Sequence, residues 1–226
     1  MRLSIVIPAL NEAEHIVATL ESLQAMRSRG VEVIVVDGGS RDATPQLAAP
    51  MADRVISANP GRAAQMNAGA AVATGSALLF LHADSRLAPD ADQLILDGLT
   101  AGFFTWGRFD VAIDGEHFFL PVVAWFMNHR SRLTGIATGD QGLFMTVDAF
   151  KAAGGFADMP LMEDVAMCVT LKKTGAPLCL TQKICTSGRR WEKHGVWRTI
   201  WLMWRIRLAY FFGVDPVVLH RAYRGK

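Results

Sequence analysis

The chain has 226 residues, of which 51% are hydrophobic and 19% are charged, so it can bury a full core and is not a disordered segment. Its net charge of +2 divides into −5 over residues 1–186 (14 basic against 19 acidic) and +7 over residues 187–226 (9 against 2). The basic end predicts an anion-binding or membrane-surface element. Three scattered cysteines, Cys168, Cys179 and Cys185, exclude a disulfide scaffold and a cysteine-rich zinc site, and they fit a reducing compartment.

Strand and helix patterns alternate over the first hundred residues. Apolar, β-branched runs predict strands, and apolar residues at helical spacing predict helices between them. The predicted strands are 3–8, 31–36, 55–56 and 77–81, and the predicted helices are 12–27, a short one from 42, 61–72 and 89–99. This alternation indicates parallel crossovers, and therefore an α/β three-layer sandwich around a mostly parallel central sheet.

The regular alternation ends after Gly102. The later predicted elements are strands at 107–113, 142–147 and 178–186, a helix at 163–173 and an aromatic helix at 197–212, with an unassigned aromatic stretch at 118–132. No Pro-, Gly- or Ser-rich linker divides the chain. We therefore expect one domain over residues 1–191 and a basic, amphipathic helical extension over residues 192–226.

Neither a secretory signal nor a membrane span is apparent in the sequence. The first apolar run is short, and no stretch reaches the ~18 uninterrupted apolar residues that a span requires. The nearest is 199–214, which contains Arg205 and Arg207. We expect a cytoplasmic protein, either free or at the inner face of the membrane.

Polar side chains follow three successive predicted strands. They are Pro8, Asn11 and Glu12 after the first strand, Asp37 after the second, and His82 and Asp84 after the third. In open α/β sheets, ligands bind beyond the carboxyl ends of the strands. These side chains therefore predict a binding site along one edge of the sheet.

The chemistry of these strand ends suits a nucleotide and a cation. Asp37 is placed to hydrogen-bond a base or ribose, and the adjacent Gly38 and Gly39 let the backbone approach a ligand closely. Asp84 suits a hard divalent cation on a diphosphate, because such cations take oxygen ligands. His82 would favour Mn²⁺ over Mg²⁺ as a ligand, and is otherwise a structural rim histidine.

Two charged pairs later in the chain are further candidates. Glu163-Asp164 opens a predicted helix and is interpreted either as favourable charge at a helix start or as a general base. Arg189 and Arg190 open the basic end, either as a clamp for phosphate oxygens or as a solvated patch. His194, four residues after Arg190, is a weaker candidate for the same site.

An Ala-rich predicted helix begins after Gly61 and carries two polar candidates. Arg62 is suited to stacking on or hydrogen-bonding a nucleobase, and Asn67 lies further along the same helix. Helix N-termini attract anions, which fits a phosphate-bearing ligand. The small residues of this helix are interpreted as packing residues.

Taken together, these residues resemble the family 2 glycosyltransferases, which have the GT-A fold. The resemblance covers about residues 1–191, and the most similar group is a short bacterial subgroup associated with radical-SAM and selenodomain proteins. It rests on 5–12, 35–44 and 61–69, on His82-Ala83-Asp84 at the family's DxD position, and on Glu163-Asp164 at its ED position.

The resemblance implies an inverting displacement on a nucleotide-diphosphate sugar by an acceptor hydroxyl. The residues that the resemblance implies for binding the nucleotide sugar are Pro8, Asn11, Glu12, Asp37, Arg62, Asn67, Asp84, Arg189, Arg190 and Trp191. Asp164 would be the base with Glu163 beside it, and Asp84 would hold a divalent cation, Mn²⁺ before Mg²⁺, with His82 and His194 as weaker ligands. Gly139, Asp140 and Gln141 correspond weakly to the acceptor side.

Two positions depart from the family pattern. His82 replaces the first carboxylate of DxD, and Ser187 replaces the Gln of the QxxRW motif, which argues against a processive polymerase. A nucleotidyltransferase or a methyltransferase would have a Gly-rich loop near the first strand, which is absent here. A non-catalytic nucleotide-binding or scaffold protein would not need Glu163-Asp164, and this is the main alternative.

The aromatic helix at 197–212 suggests a partner surface. Its apolar stripe comprises Trp197, Ile200, Trp201, Trp204, Leu208, Phe211 and Phe212. The stripe either packs on the domain or on a second subunit, or lies in a membrane interface, where Trp with flanking Arg is typical. A lipid-linked acceptor would fit the second interpretation, and no feature indicates a nucleic acid partner.

Overall fold

One mixed sheet of eight strands organises the residues that the computed structural model describes, Met1 to Arg224. Gly225 and Lys226, at the end of the predicted extension, lie outside the described residues. The strands are β1 (Leu3–Ala9), β2 (Glu32–Asp37), β3 (Arg54–Ser57), β4 (Ala77–Phe80), β5 (Ser85–Arg86), β6 (Trp106–Asp114), β7 (Leu143–Thr146) and β8 (Leu178–Ser187).

Helices connect the strands, and three of them close the C-terminal end of the described chain. They are α1 (Ile16–Ser28), α2 (Thr44–Ala48), α3 (Arg62–Val72), α4 (Ala91–Thr100), α5 (Leu120–Thr134), α6 (Val147–Ala152), α7 (Glu163–Leu171), α8 (Arg189–His194), α9 (Val196–Phe211) and α10 (Pro216–Arg224). A 3₁₀ turn at Gly139–Gln141 precedes β7. Within the described residues, no helix is both long and apolar enough to cross a membrane.

The strand order is β3-β2-β1-β4-β7-β6-β8-β5. The first four strands of this order are parallel, β7 is antiparallel to both β4 and β6, and β6 pairs in parallel with β8. The sheet is therefore parallel where the alternation of strands and helices predicted it and mixed beyond β4. Because β1, β2 and β4 run in the same direction, their carboxyl ends share one edge.

Apolar side chains cover both faces of the sheet. On one face, Ile5 and Val33 pack with α1 and α4, and on the other, Val6 and Ile34 pack with α3 and α7. Neighbouring residues of a strand point to opposite faces, so continuous apolar runs in β1 and β2 fill two cores. This arrangement confirms the three-layer α/β prediction.

The structure differs from the sequence-based elements mainly in helices. The unassigned stretch at 118–132 forms α5, and α6, α8 and α10 were not predicted. Helix α1 begins at Ile16 instead of Glu12. Residues 13–15 form a turn before the helix, and the backbone N–H groups of Asn11, Glu12 and Ala13 donate to side chains of the loop after β2 and of the first residue of α2.

Candidate active site

The loops after β1 and β2 are fastened to each other by short hydrogen bonds. Asn11 N donates to Ser40 Oγ, Arg41 N donates to Asn11 Oδ1, and Glu12 N donates to Thr44 Oγ1, each at 2.8 Å. Asn11 adopts the left-handed conformation with φ 55°, which asparagine tolerates better than most residues. The two strand ends therefore form one rigid rim.

Asp37 is buried at the end of β2 and organises the turn that follows it. Its carboxylate accepts hydrogen bonds from Gly39 N at 3.0 Å and from Ser40 N at 3.0 and 3.2 Å. Gly39 has φ +89°, a conformation that side-chain-bearing residues rarely adopt. Asp37 thus fixes the conformation of the turn at residues 38–40, which is part of the rim.

Arg189 joins this rim to the end of β4. Its guanidinium donates to Glu12 Oε1 at 2.6 Å and lies 3.3 Å from Asp84 Oδ2. The hydrogen bond to Glu12 raises the pKa of Arg189. The second carboxylate oxygen of Glu12, Oε2, is buried without a hydrogen-bond partner among the described residues. The predicted Glu12, Asp84 and Arg189 are therefore neighbours in space.

A cavity of about 220 Å³ opens beside Arg189. Its polar lining comes from the ends of β4 and β8, the turn before β7, and helices α3, α7, α8, α9 and α10. The charged and histidine side chains that line it are Arg62, His82, Asp84, Asp140, Glu163, Asp164, Arg189, Arg190 and Arg207. Trp191 and Tyr223 add aromatic surface. Most of the predicted site residues thus meet in one cavity.

Two acids at the start of α7 form one wall of the cavity. Asp164 Oδ2 accepts a hydrogen bond from Gly139 N at 2.8 Å, and its Oδ1 accepts one from Val165 N at 2.7 Å. Glu163 is only 4% exposed, and burial and the adjacent Asp164 raise the pKa of its carboxyl. Met162, which precedes the pair, has φ 72°, a left-handed conformation in a non-glycine residue.

Arginines from three helices face these acids. Arg62 from α3, Arg190 from α8 and Arg207 from α9 line the cavity. The Arg190 guanidinium lies 3.6 Å from the centre of the Tyr223 ring, and its buried Nε has no hydrogen-bond partner among the described residues. Burial lowers the pKa of Arg207. Cationic groups are therefore concentrated where an anionic ligand would enter.

The sequence interpretation did not identify Arg207 and Tyr223. Arg207 was noted only as a charge that interrupts an apolar stretch, and Tyr223 lies in a helix that was not predicted. The spacing of the apolar stripe gave no signal for Arg207, because on an ideal helix this residue lies at the edge of the stripe, beside Ile200 and Phe211. Its exact neighbours depend on how α9 folds back on the domain.

His82 is held against the turn before β7. Its Nδ1 lies 3.1 Å from Asp140 Oδ1, and its Nε2 is so close to Gly139 that a Cβ there would overlap it. Desolvation opposes the ionisation of Asp140, but the hydrogen bond and charge of His82, with the charges of Arg62 and Arg207, lower the pKa of this carboxyl. His82 therefore positions Asp140 in this structure.

The donor atoms of the cavity fit a cation that arrives with a diphosphate. Among residues 1–224, no three His, Cys, Asp or Glu side chains converge into a complete metal site. Divalent cations in phosphate-handling sites commonly use one or two carboxylates and take their other ligands from phosphate oxygens and water. Asp84 at the cavity edge supplies such a carboxylate.

Seven predicted residues lie outside the cavity lining, and three of them, Asn11, Glu12 and Asp37, belong to the rim described above. Asn67 bonds the backbone of Phe156 through both its amide oxygen and its amide nitrogen, which fixes α3 to the loop after α6. Gln141 is fully buried and donates to Ser131 Oγ at 3.0 Å. Pro8 is buried within β1.

The last of the seven is His194, which is exposed at the end of α8. It is not part of the cavity lining, although Arg190, four residues earlier in the same helix, is. His194 is the last residue of α8, and Gly195 connects it to α9.

Comparison with known proteins identifies the family. The model of "Glycosyl transferase family 2" matches residues 4–153, which include β1 to β7 and the rim. Succinoglycan biosynthesis protein ExoA of Rhizobium meliloti is 30% identical over 203 residues, covering 79% of this chain and 60% of that protein.

Solved structures share the fold at low identity. The mannosyltransferase PcManGT from Pyrobaculum calidifontis, in complex with GDP-Man and Mn²⁺, has a TM-score of 0.69 at 21% identity, covering 99% of this chain and 64% of that one. S. aureus TarS 1-349 in complex with UDP-GlcNAc has a TM-score of 0.67 at 16% identity, covering 83% and 58%. The chain spans about three fifths of the length of these relatives. The likeness confirms the GT-A-like fold.

Proposed function

The chain belongs to glycosyl transferase family 2, and from that premise we propose that it transfers a sugar from a nucleoside-diphosphate donor to an acceptor hydroxyl, with inversion at the anomeric carbon. One observation carries the proposal: Asp84 and Arg189 line the same cavity as Glu163 and Asp164. A diphosphate and a hydroxyl acceptor would thus have groups suited to each within one enclosed space.

The rim supports the nucleotide end of the donor. Glu12 has a buried, unpartnered oxygen that can accept a hydrogen bond from a ribose hydroxyl or a base. Arg62 reaches the cavity from α3 and can stack on a base or pair with phosphate. PcManGT was solved with GDP-Man and TarS with UDP-GlcNAc, so the fold accommodates different bases and sugars.

Asp84 is the residue that we assign to a divalent cation, with His82 as the weaker ligand. The cation would neutralise charge on the diphosphate of the donor. PcManGT was solved with Mn²⁺, and we propose Mn²⁺ before Mg²⁺ because an imidazole lies near the carboxylate. In the structure, Arg189 contacts Asp84, so this guanidinium has to yield the carboxylate when a cation binds.

The reaction is a single displacement. Asp164 accepts the proton of the acceptor hydroxyl, whose oxygen forms a bond to the anomeric carbon as the bond from that carbon to the diphosphate oxygen breaks. The electron pair of the broken bond stays on the diphosphate. Arg189 and Arg190 stabilise this negative charge, because charge-assisted hydrogen bonds from guanidinium groups strengthen as the charge develops.

Hydrogen bonds to Asp164 fix the orientation of its carboxylate in the cavity wall. Both of its oxygens accept backbone N–H bonds, from Gly139 and Val165, and a general base has to be held in position in this way. Glu163 beside it has a raised pKa and is therefore the less suitable of the two acids to remain ionised in the cavity. We propose that Glu163 shapes the electrostatic field around Asp164.

A thermal-shift panel tests the proposal. Purified protein is heated with nucleoside diphosphates, triphosphates and nucleotide sugars, each with Mn²⁺, with Mg²⁺ and with EDTA. A ligand at about 100 times its Kd adds ~2.7 kcal/mol to the free energy of unfolding. We expect a cation-dependent rise in Tm with a nucleoside diphosphate and its sugar, and loss of the cation-dependent part in Asp84→Asn.

The matched control is Asp97→Asn, which alters an exposed acid on α4 and should leave the shift intact. A rise with triphosphates alone would instead favour a nucleotidyltransferase. No rise with any nucleotide would overturn the proposal in favour of a protein that does not bind donors.

A further inference from the structure

Helix α9 has two faces of opposite character. One side lines the cavity through Thr199, Met203, Ile206 and Arg207. The other side carries the apolar stripe of the sequence, and the exposed members are Trp197 (66%), Trp201 (61%), Trp204 (73%), Leu208 (59%) and Phe211 (82%), followed by Phe212 (74%). The remaining stripe residue, Ile200, is half-buried against the cluster around Leu120 and Val196. Packing on the domain therefore does not account for the stripe.

Arginines run along one edge of this stripe. Successive residues of an α-helix are about 100° apart, so residues that are seven positions apart lie almost above each other. Arg198 and Arg205 have this spacing, and both are exposed. The Arg205 guanidinium lies 4.4 Å from the centre of the Trp201 ring. We call this set of exposed aromatic and arginine side chains on α9 the Trp/Arg face.

The Trp/Arg face continues onto the segment before α5. Trp197 packs against Phe119 with ring centres 4.8 Å apart, and Phe119 contacts Phe118 at 5.9 Å. Phe118 is 82% exposed. An exposed apolar area made of adjacent aromatic rings is unusual for a free surface and marks a site of interaction.

We propose that the Trp/Arg face binds the surface of an anionic lipid bilayer. Tryptophan rings are enriched at the depth of lipid headgroups, and arginines attract anionic lipids. An interfacial helix places Trp, Phe and Leu at the membrane surface together with Lys or Arg, and α9 has this combination. Residues 187–226 carry a net charge of +7, and residues 1–186 carry −5. This charge distribution favours an orientation in which α9 faces a negatively charged surface.

A second copy of the chain is a poorer occupant of the same face. In a two-fold symmetric dimer the same patch lies on both subunits, so the interface would bury both copies of Arg198 and Arg205. Helix α9 has no acidic residue that could pair with them. The charge pattern therefore complements anionic lipid and opposes self-pairing.

Membrane binding would bring the cavity close to the bilayer. An α-helix with its side chains is about 10–12 Å across, and α9 separates the Trp/Arg face from Arg207 in the cavity. Together with the proposed transfer reaction, this geometry indicates an acceptor hydroxyl carried on a lipid or exposed at the membrane surface. The binding of lipid itself does not depend on catalysis, so the two proposals can fail separately.

Vesicle flotation tests the inference directly. The full chain is mixed with vesicles of phosphatidylcholine alone or of phosphatidylcholine with phosphatidylglycerol, at about 0.1 M and about 1 M salt. We expect binding to the anionic vesicles at low salt, a blue shift of tryptophan fluorescence on binding, and weaker binding at high salt. Neutral vesicles should bind the chain less.

Two variants and one control locate the surface. Trp201→Ser/Trp204→Ser should lower the partition coefficient roughly tenfold or more, because two interfacial aromatic anchors are lost. Arg198→Glu/Arg205→Glu keeps these rings and should abolish the preference for anionic vesicles. Phe103→Ser is the matched control, since Phe103 is 88% exposed between α4 and β6, and its partitioning should equal that of the parent.

Three outcomes would overturn the inference. The first is equal partitioning of the parent and both variants, and the second is loss of partitioning in Phe103→Ser to the same extent. The third is a concentration-dependent dimer that Trp201→Ser/Trp204→Ser converts to a monomer, without vesicle binding by the parent. A cooperative thermal unfolding transition near the Tm of the parent, measured without ligand, shows that each variant is folded.

Discussion

Two buried glutamates show how differently the two halves of the molecule are built. Glu32 in β2 and Glu163 in the cavity are each 4% exposed, but the pKa of Glu32 is lowered and that of Glu163 is raised. Desolvation opposes ionisation at both. At Glu32, hydrogen bonds from Ser4 and Thr74 outweigh it, whereas at Glu163 the adjacent Asp164 adds to it.

The difference teaches that stability and chemistry are served by separate regions. The parallel half of the sheet provides hydrogen-bond partners for the buried carboxylates of Glu32 and Asp37, and the bonds to Asp37 hold the turn of the rim in place. The cavity holds acids beside each other and leaves Arg190 Nε without a partner among the described residues. Charge that is left uncompensated costs stability, and it is typical of sites that act on a ligand.

The assignment of chemistry to the cavity is wrong if an acid of the cavity can be removed without loss of turnover. We expect Asp164→Asn to lower the rate of nucleoside diphosphate release from the donor by roughly 10²–10⁴-fold, because the acceptor hydroxyl loses its base. The rate is measured with the donor identified by thermal shift. Donor binding should persist, since the proposal assigns Asp164 to the acceptor hydroxyl and Asp84 and Arg189 to the diphosphate.

Asp148→Asn provides the control for this variant. Asp148 also lies in the first turn of a helix, α6, but it is exposed and away from the cavity. Its rate should match that of the parent. An unchanged rate in Asp164→Asn, with Asp148→Asn as reference, would assign the proton transfer to another group.

A second prediction concerns the sheet half, where extra volume should be costly. A Cβ at Gly69 of α3 would overlap Val6 and lie 2.9 Å from Val36 Cγ2. We therefore expect Gly69→Val to lower the free energy of unfolding by about 3 kcal/mol through overpacking. Urea denaturation measures it, as a lower midpoint with an unchanged slope.

Ala71→Val on the exposed side of the same helix isolates the packing effect. It should cost only about 0.5 kcal/mol, the difference in helix propensity. Equal losses in the two variants would show that α3 can move away from the sheet, and the rim would then be less rigid than its hydrogen bonds indicate.

The smallest expected effect is a pH-dependent change in stability when one of the two buried glutamates is replaced by glutamine. Because the folded pKa of Glu32 is lowered, its stabilising contribution exists above its unfolded pKa and disappears as the pH falls through the folded value. Glu32→Gln should therefore be less stable than the parent at pH 7, by about 1 kcal/mol. The gap should begin to narrow as the pH falls to ~4, near the unfolded pKa, and should close only below the folded pKa.

Glu163→Gln should behave in the opposite way. With a raised folded pKa, the contribution of Glu163 is present below its unfolded pKa and is lost as the pH rises through the folded value. The variant should thus be more stable than the parent at pH 7, and the two should converge at low pH. Denaturation curves across this pH range measure both free energies of unfolding. The prediction is wrong if both variants are more stable than the parent at pH 7, or if both are less stable.

The sheet was predictable because its signals are local. Apolar β-branched runs marked β1, β2 and β4, and the strand-end rule then brought Asp37 and Asp84 to one edge. Helix α10 was missed although Asp215-Pro216 is a helix-start signal, and Asp215 Oδ1 indeed accepts a hydrogen bond from Val217 N at 2.7 Å.

The cavity was only partly predictable because its far wall is a tertiary arrangement. Asp164 and Arg190 were found through motif positions, whereas Arg207 and Tyr223 reach the cavity only because α9 and α10 fold back over it. Spacing also suggested His194 for the site, but this residue is exposed at the end of α8 and does not line the cavity. Sequence patterns give the faces of a helix, and contacts between helices decide which face meets the site.

The hydrogen bond between Glu12 and Arg189 spans 177 residues of the chain. At the roughly 5–20 residues per second of protein synthesis, Glu12 is made roughly 9–35 s before Arg189. During that interval a nascent chain can assemble the parallel strands, but the guanidinium that links Glu12 to Asp84 has not yet been translated. The link between the rim and Asp84 is thus formed late in biosynthesis, after residues 4–153, which match the family model, have been synthesised.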